Sequence, residues 1–211
     1  MNRLELRNAV KDRLAIRSDG SGNSLDGLIT NTFVNTAIDD AMKRISIEKD
    51  WYWLATTASL TFSTSTGKAP LPADFMRANE LVVNGNPAEL LPLDTIIDPL
   101  SDNATYGWLI YGTEAQITPV PSTVPTATLY YFRFEPTLSS DSASPVTPVP
   151  YHYAIVSYAA YLCAARRQDE PRASLYLQEY GSYLRTMAND NRSTIKKRIK
   201  FGRRRDYATW V

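Results

Sequence analysis

The first fifty residues carry two runs of apolar positions at helical spacing. The first run predicts an amphipathic helix that ends before Ser18, and it consists of Leu4, Leu6, Val10 and Leu14. A loop is expected at residues 19–23. The second run advances in steps of four and predicts a helix that stops near Lys49, with Thr30 or Asn31 as its N-cap. Its members are Phe33, Val34, Ala37, Ile38, Ala41, Met42 and Ile45.

Between Ala55 and Leu138 the apolar period changes from helical to alternating. Short runs rich in threonine, valine, isoleucine and aromatic residues are separated by turn residues, which is typical of β-strands. The predicted strands are Thr57–Phe62, Glu80–Val83, Trp108–Tyr111, Ala115–Thr118 and Thr126–Phe134. Gly112 and Thr113 predict a hairpin turn, and Pro119 should end the strand that follows. We expect one short helical turn at residues 92–98.

Helix is predicted again after a proline-rich segment. Residues 139–150 have no periodic apolar pattern and contain three prolines, which favours an extended linker. Tyr151 to Arg167 then places small and aromatic residues on one broad face. A further helix should begin at Asp169-Glu170-Pro171, because acids and proline are favoured in a first turn. Its apolar stripe consists of Leu175, Leu177, Tyr180, Leu184 and Met187.

The predicted fold class is α+β, a helical bundle of about four helices with an inserted small antiparallel β-domain and an extended basic C-terminal tail. A chain of 211 residues is long enough to bury one core without disulfide or metal support. The expected segments are N-terminal helices at 1–54, the β-domain at 55–138, the linker at 139–150, C-terminal helices at 151–190 and a basic docking tail at 191–211.

Charge is unevenly distributed although the formal net charge is only +1. From Arg192 onward there are eight basic residues and a single acidic one, Asp206. Between Arg77 and Arg133 there is no basic residue at all. This asymmetry favours contact between unlike surfaces, either of copies of the chain or of a second macromolecule.

The sequence contains no recognisable catalytic constellation. His152 is the sole histidine, and we interpret it as a surface or capping residue rather than a general base. Cys163, the only cysteine, lies three helical turns further on, which is too far for a hydrogen bond. The adjacent Asp39 and Asp40 point apart on a helix and are interpreted as a solvated face. No phosphate-binding loop is present, so a nucleotide cofactor is not expected. Together these observations predict no catalytic residue, no cofactor and no metal.

Two sets of aromatic residues need an interpretation. The first set is expected to be core packing where the helices meet the β-domain, at the start of a strand-like segment, and comprises Trp51, Tyr52 and Trp53. The second set has mixed helical spacing, and its partial exposure would suit a subunit interface: Tyr153, Tyr158 and Tyr161. The longest apolar stretch, residues 153–165, is shorter than the ~20 residues that a membrane-spanning helix needs. No secretory signal is visible and no membrane anchor is expected.

The C-terminal tail is the most informative segment. Its cations are too dense to form a core and should project from the body: Arg192, Lys196, Lys197, Arg198, Lys200, Arg203, Arg204 and Arg205. One interpretation is a nucleic-acid arm, since lysine and arginine neutralise phosphates regardless of sequence. Another is a docking peptide anchored by Tyr207 and Trp210 in a pocket of a partner. A merely solvated tail fits less well, because an exposed tryptophan is unfavourable.

A series of short motifs, in a fixed order, gives the chain a family likeness over nearly its whole length. The motifs are Asp50-Trp51-Tyr52-Trp53-Leu54, Leu71-Pro72-Ala73-Asp74-Phe75, Glu80-Leu81-Val82-Val83, Tyr111-Gly112, Ile117-Thr118-Pro119-Val120-Pro121, Leu129-Tyr130-Tyr131-Phe132, Pro136-Thr137-Leu138, Pro148-Val149-Pro150-Tyr151-His152, Tyr158-Ala159-Ala160-Tyr161 and Asp169-Glu170. In this order they resemble the head-to-tail connector, or adaptor, proteins of tailed bacteriophages, including the tail-tubular group of short-tailed phages.

The resemblance implies a non-enzymatic virion protein of the neck or tail, made in the host bacterial cytoplasm. It implies a dodecameric ring between the portal protein and a downstream tail or nozzle protein that contacts the β-domain. Double-stranded DNA would pass through the ring without sequence-specific contact. The C-terminal segment would dock into the portal, and the candidate portal contacts are Phe201, Arg203, Arg204, Arg205, Tyr207 and Trp210.

Two other functions stay open from the sequence. A nucleic-acid-binding protein could use the basic tail, and its binding would weaken steeply with salt. A peptidoglycan-degrading enzyme would need a pair of carboxylates at working separation, for which Glu5, Glu48 and Glu80 are available. A ring that is closed by symmetric contacts needs no chemistry, which agrees with the missing catalytic constellation.

Overall fold

The computed structural model describes residues 1–15, 27–92 and 106–202, with side chains through Arg192. The predicted loop at 19–23 and all but the first residue of the predicted turn at 92–98 lie outside the described residues. The chain divides into two compact units. The helical unit comprises Met1–Trp53 and Glu135–Val211, and the sheet unit comprises Leu54–Phe134.

Four helices build the described part of the helical unit, and they are α1 (Arg3–Arg13), α2 (Asn31–Glu48), α3 (His152–Arg166) and α4 (Glu170–Gly202). Helix α3 packs against each of the other three. Most of its residues are alanine or other small or apolar types, and nine of its fifteen are buried. Small side chains let neighbouring helices approach closely, so α3 is the centre of this unit.

Local capping signals in the sequence set where the helices start. Asn2 and Glu5 form a capping box at the start of α1. Thr30, one of the two predicted caps of α2, accepts a hydrogen bond from the Phe33 amide at 3.1 Å. Asp169 accepts from the Arg172 amide at 3.3 Å at the start of α4. The predicted helix stop near Lys49 is confirmed, because α2 ends at Glu48.

The segment at 139–150, predicted as an extended linker, lies against the helices. The Arg3 amide donates to the Ala143 carbonyl at 2.8 Å. The Arg7 guanidinium donates to both carboxylate oxygens of Asp141, at 3.0 and 2.9 Å. A 3-10 turn at Val149–Tyr151 then leads directly into α3.

The described residues of the sheet unit form one sheet of seven strands. They are β1 (Ala55–Leu60), β2 (Lys68–Pro70), β3 (Phe75–Val83), β4 (Asn86–Leu90), β5 (Gly107–Tyr111), β6 (Glu114–Thr118) and β7 (Ala127–Arg133). Their spatial order is β1-β7-β3-β4-β5-β6-β2. The pair β4 and β5 is parallel, and every other pair is antiparallel. One face carries the core, which includes Phe62, Leu81, Trp108 and Leu129.

The predicted fold class, a helical bundle with a small inserted antiparallel β-domain and an extended tail, is wrong. The structure combines four helices with a seven-stranded, mixed and curled sheet. The strands missed by the sequence pattern, β2 and β4, are short and contain Pro70 and Pro87, which lower strand propensity. The parallel pairing of β4 with β5 joins strands that are sixteen residues apart, a contact that no local pattern encodes.

Two further boundaries differ from the sequence prediction. The aromatic run after α2 is not the start of a strand but a 3-10 turn at Tyr52–Leu54, and β1 begins at Ala55. The basic segment from residue 191 is not extended along its whole length, because α4 continues as helix to Gly202. Lysine, arginine and isoleucine are compatible with helix, and no proline interrupts α4 after its first turn.

Glycines allow two of the tight turns between strands. The predicted hairpin between β5 and β6 is confirmed, with Gly112 at φ +62°. The turn between β3 and β4 places Asn84 and Gly85 at φ +50° and +82°, which is the backbone of a type I′ hairpin. Because β6 ends at Thr118, the predicted strand stop at Pro119 is also confirmed.

We expect Gly67→Ala to destabilise the sheet unit by about 2 kcal/mol. Gly67 has φ +67°, and an added Cβ would lie 2.8 Å from the Ile117 carbonyl oxygen. That oxygen belongs to the backbone of β6 and cannot rotate away. Urea unfolding followed by circular dichroism measures the loss. Gly112→Ala is the matched control, because its φ is also positive but nothing lies within 4 Å of its Cβ. An equal loss in both variants would show that the close contact is unimportant.

Candidate interaction surfaces

Helix α4 is fixed to the rest of the helical unit by the side chain of Asn191, eleven residues before its end. Its side-chain amide donates to the Asp50 carbonyl at 2.9 Å and its side-chain oxygen accepts from the Tyr52 amide at 3.0 Å. The preceding residue, Asp190, accepts a hydrogen bond from the Tyr151 hydroxyl at 2.7 Å. Asn191 is 4% exposed, so the two backbone groups that it pairs are satisfied away from water.

Beyond Asn191 the backbone stays helical for eleven residues, to Gly202. At 1.5 Å per residue this helical extension is about 16 Å long. Of the predicted portal contacts, Phe201 lies in the extension but its side chain is not described. The others, Arg203, Arg204, Arg205, Tyr207 and Trp210, lie outside the described residues. Their docking role therefore stays a prediction.

The three tyrosines predicted at a subunit interface have different surroundings. Tyr153 is 45% exposed, and the Arg13 guanidinium lies 5.7 Å from its ring centroid. Tyr158 and Tyr161 are partly buried, with ring centroids 5.5 Å apart, and Tyr158 also packs on Tyr180 at 4.8 Å. Tyr153 is thus the most accessible of the three.

Helix α4 exposes two leucines that the sequence pattern assigned to its buried stripe. Leu175 is 51% exposed and Leu177 is 43% exposed, whereas Tyr180 and Met187 are buried. The spacing of Leu175 and Leu177 already argued against this assignment, because residues two apart lie on opposite sides of a helix and cannot share one buried stripe. Together with Tyr153, these leucines give the helical unit solvent-exposed apolar side chains that could contact another molecule.

His152, interpreted from the sequence as a surface or capping residue, is buried, with 2% exposure. Its Nδ1 accepts from the Met1 ammonium at 2.8 Å, and its Nε2 donates to the Thr147 carbonyl at 2.8 Å. The amide and hydroxyl of Thr147 donate in turn to the buried carboxylate of Glu135. The partners of His152 are a chain terminus and a loop, so helical periodicity could not predict its burial. Both ring nitrogens of His152 are thus engaged in a structural network, and neither is free to act as a general base.

The stability of the helical unit should fall as the pH is lowered through about 6.5. Burial lowers the pKa of His152 below its ordinary value of 6.5, while the hydrogen bond to the Thr147 carbonyl opposes this shift. The unfolded chain therefore takes up the proton more readily, and stability present above pH 6.5 is lost as the pH falls toward the lower folded-state pKa. Denaturant midpoints between pH 8 and pH 5 measure this loss. His152→Gln should remove this part of the pH dependence, and a parallel decline in wild type and variant would refute its assignment to His152.

The remaining candidates for catalysis have structural surroundings. Burial raises the pKa of Cys163 to about 12, so this residue is a thiol rather than a thiolate nucleophile at neutral pH. Asp39 is half-buried and accepts from the Leu138 amide at 3.3 Å, which corrects its interpretation as part of a solvated face. Burial raises its pKa as well. Within the described ranges, no three histidine, cysteine or acidic residues are grouped to hold a metal ion.

The three carboxylates considered for a peptidoglycan-degrading enzyme are not brought together as a described pair. Glu5 completes the capping box of α1, and Glu48 forms an ion pair with Arg44 at 2.8 Å within α2. Glu80 lies on β3, in the other unit. The first two carboxylates are thus engaged in helix stabilisation, and no described geometry supports hydrolysis.

The sheet unit contains a shallow depression of about 170 Å³. It extends from the edge strand β1 across β7 to Asn79 of β3. It is lined mainly by apolar surface from Ala55, Thr56, Thr57, Asn79, Tyr130, Tyr131 and Phe132. Tyr130 is 41% exposed. The depression is therefore an accessible apolar surface next to a strand edge.

In the described part of the chain, no helix combines the length and the apolar character that crossing a membrane requires. The family model described as SU10 adaptor protein matches residues 1–200. Among curated proteins, none matches the chain. The family match extends over both compact units and through most of α4.

Proposed function

The chain belongs to the SU10 adaptor protein family, and from this membership we propose that copies of it form a ring between the portal and the tail of a bacteriophage. Membership makes the protein a structural phage adaptor of the virion neck. The portal above and a tail protein below are the partners that such a position requires. The narrower likeness to the tail-tubular group of short-tailed phages and a copy number of twelve are parts of this proposal.

The single observation that carries the proposal is the family match over residues 1–200. The described chemistry agrees with it, since His152, Cys163 and Glu48 all have structural surroundings and an adaptor needs no catalysis. A ring needs matching surfaces on two sides of each copy. The exposed apolar side chains Tyr153, Leu175 and Leu177 are candidates for such surfaces, with Leu175 and Leu177 on different sides of α4.

The C-terminal segment is proposed to dock into the portal. Helix α4 is fixed at Asn191 and continues to Gly202, so the segment that follows starts from a helical base. Because this helical start is already ordered, less conformational entropy is lost when the segment docks. Arginines 203 to 205 would face acidic groups of the portal, and Tyr207 and Trp210 would fill its pockets.

The ring would surround a channel through which double-stranded DNA passes without sequence-specific contact. The absence of basic residues between Arg77 and Arg133 supports this part of the proposal. Glu80 and Glu89 are exposed in that stretch of the sheet unit. A surface without cations does not hold phosphates, so DNA in contact with it would stay mobile.

Negative-stain electron microscopy of the chain mixed with its portal tests this function. We expect ring-shaped density of the adaptor stacked on the portal, either from preformed rings or from monomers that assemble on it. Portal particles without added density, at adaptor concentrations well above micromolar, would refute the proposal. The same chain with Tyr153→Glu should attach in fewer copies if the exposed tyrosine contributes to the contact between subunits.

A further inference from the structure

The two edges of the seven-stranded sheet differ in how they are protected. Strand β2 forms one edge and is only three residues long, with a lysine and a proline among them. Short length, lysine and proline all prevent another strand from pairing. Strand β1 forms the other edge, and its six residues contain no charge, no proline and no bulge. Of these two edges, as the described residues form them, β1 is therefore the one that is open to a further strand.

The outward backbone groups of β1 have no described partner in this chain. Strand β1 pairs with β7 in continuous register from Ala55 opposite Phe132 to Leu60 opposite Ala127. In an antiparallel pair every second residue turns its N–H and C=O away from the neighbouring strand. Among the described residues, no hydrogen bond reaches these outward groups of β1. They form a template for strand addition.

The side chains next to this edge form a surface that an extended segment can cover. Ala55, Thr57 and Ser59 are exposed along β1, and the depression of about 170 Å³ lies beside them. Its apolar lining includes the half-exposed Tyr130, directly opposite Thr57 in register. A strand added to β1 would place alternate side chains over this face, so one apolar side chain could enter the depression.

A second copy of this chain is a poor occupant of the β1 edge. Pairing of β1 with the β2 edge of a neighbour is opposed by Lys68 and Pro70. Pairing of β1 with the β1 of a neighbour is a two-fold contact, which closes at two copies and cannot propagate around a ring. If the chain forms the ring proposed above, this edge is left for a different protein.

We propose that β1 is a strand-acceptor site that binds an extended, uncharged segment of another virion protein by β-augmentation. The partner segment contributes at least four residues of backbone pairing and one apolar side chain for the depression beside Tyr130. The inference rests on the proposed function, since it places the partner in the assembled neck.

Amide hydrogen exchange of the isolated chain and of purified phage particles tests the strand pairing. In the particle we expect every second amide of Ala55–Leu60 to exchange on the order of tenfold more slowly, or slower still, than in the isolated chain. This alternation is specific to a paired strand, because simple coverage would slow the amides without alternation. Unchanged exchange, or uniform slowing, would overturn the proposal.

A photocrosslinking amino acid at Thr57, in otherwise intact particles, identifies the occupant. We expect the crosslink to map to an uncharged run of at least four residues in a different virion protein. A crosslink to a second copy of this chain, or to a charged segment, would overturn the assignment.

Edge charges provide the matched mutational test. Thr57→Lys with Ser59→Lys places two cations on exposed positions of β1 and should weaken attachment of the virion protein that crosslinks at Thr57 at least tenfold, with unchanged far-UV circular dichroism. Thr113→Lys with Ser122→Lys adds the same charge at exposed positions outside β1 and should leave attachment unchanged. Equal attachment of both variants would contradict the strand-acceptor site. Portal binding is measured separately to distinguish failure of the strand-acceptor site from failure of the adaptor function. If the chain still binds the portal, only the strand-acceptor site is refuted. If the chain is absent from particles, the adaptor function is refuted as well.

Discussion

Deletion of residues 203–211 will abolish attachment of the adaptor to its portal while the two compact units stay folded. The deletion leaves α4 complete to Gly202 and keeps the Asn191 hydrogen bonds to the Asp50 and Tyr52 backbone. It removes three arginines and two aromatic residues, the types that dominate binding energies at protein interfaces. A loss of about 4 kcal/mol or more is expected, which is roughly a thousandfold in affinity. Surface plasmon resonance on immobilised portal measures it.

Two variants separate the docking segment from a nucleic-acid arm. Replacing Arg203, Arg204 and Arg205 by lysine keeps the charge, so a phosphate-binding arm would be little affected, but bidentate contacts to acidic portal groups would be lost. Tyr207→Ala with Trp210→Ala removes the aromatic anchors and should weaken portal binding strongly. Full portal affinity without residues 203–211 would rule out the docking role. If the tail instead binds DNA, with affinity that falls steeply as salt rises, the nucleic-acid interpretation is favoured.

Trp51→Ala will unfold the helical unit at a much lower denaturant concentration, with a loss of about 4 kcal/mol. Trp51 is fully buried, its indole N–H donates to the Ile45 carbonyl at 2.6 Å, and its ring stacks on Trp53 at 4.8 Å. Removal of the ring leaves a large cavity and an unpaired carbonyl at the end of α2. Because Asp50 and Tyr52 hold Asn191, the end of α4 should loosen as well.

The two neighbouring tryptophans allow a matched comparison. Trp51→Phe keeps most of the apolar volume and loses the hydrogen bond to Ile45, so it should cost about 1–3 kcal/mol. Trp53→Phe makes the same chemical change where the indole N–H has no hydrogen-bond partner among the described residues, and it should stay within about 1 kcal/mol of wild type. Chemical denaturation of all three variants, followed by circular dichroism, gives the ranking. Equal costs for Trp51→Phe and Trp53→Phe would contradict the role of the hydrogen bond.

The helices could be predicted from the sequence because their signals are local. These signals are apolar residues spaced four apart, a threonine N-cap, and an acidic residue with proline in the first turn. Each lies within a few positions of the helix that it defines, as Thr30 and Asp169 illustrate. The sheet could not be predicted in the same way. Strand β7 lies between β1 and β3, and β4 pairs with β5 in parallel, so the topology depends on contacts between distant segments.

The candidate surfaces also differ in whether they depend on local sequence or on contacts between distant segments. The basic and aromatic composition of the C-terminal segment is visible in the sequence, and so is the likeness to phage adaptors that the family match supports. The burial of His152 depends on the Met1 ammonium and on Thr147, which no spacing rule connects. The open edge at β1 became visible only once the order of the strands was known, because any strand with that composition could lie inside a sheet.

The helical unit is built from both ends of the chain, and this affects its synthesis on the ribosome. Helices α1 and α2 are complete by residue 48, but α3, the helix against which both pack, begins only at His152. At a translation rate of about 5–20 residues per second, the nascent chain must keep their apolar faces exposed for several seconds. A chain that terminates before His152 lacks α3 altogether, so the apolar faces of α1 and α2 stay exposed and should make it a substrate for proteolysis.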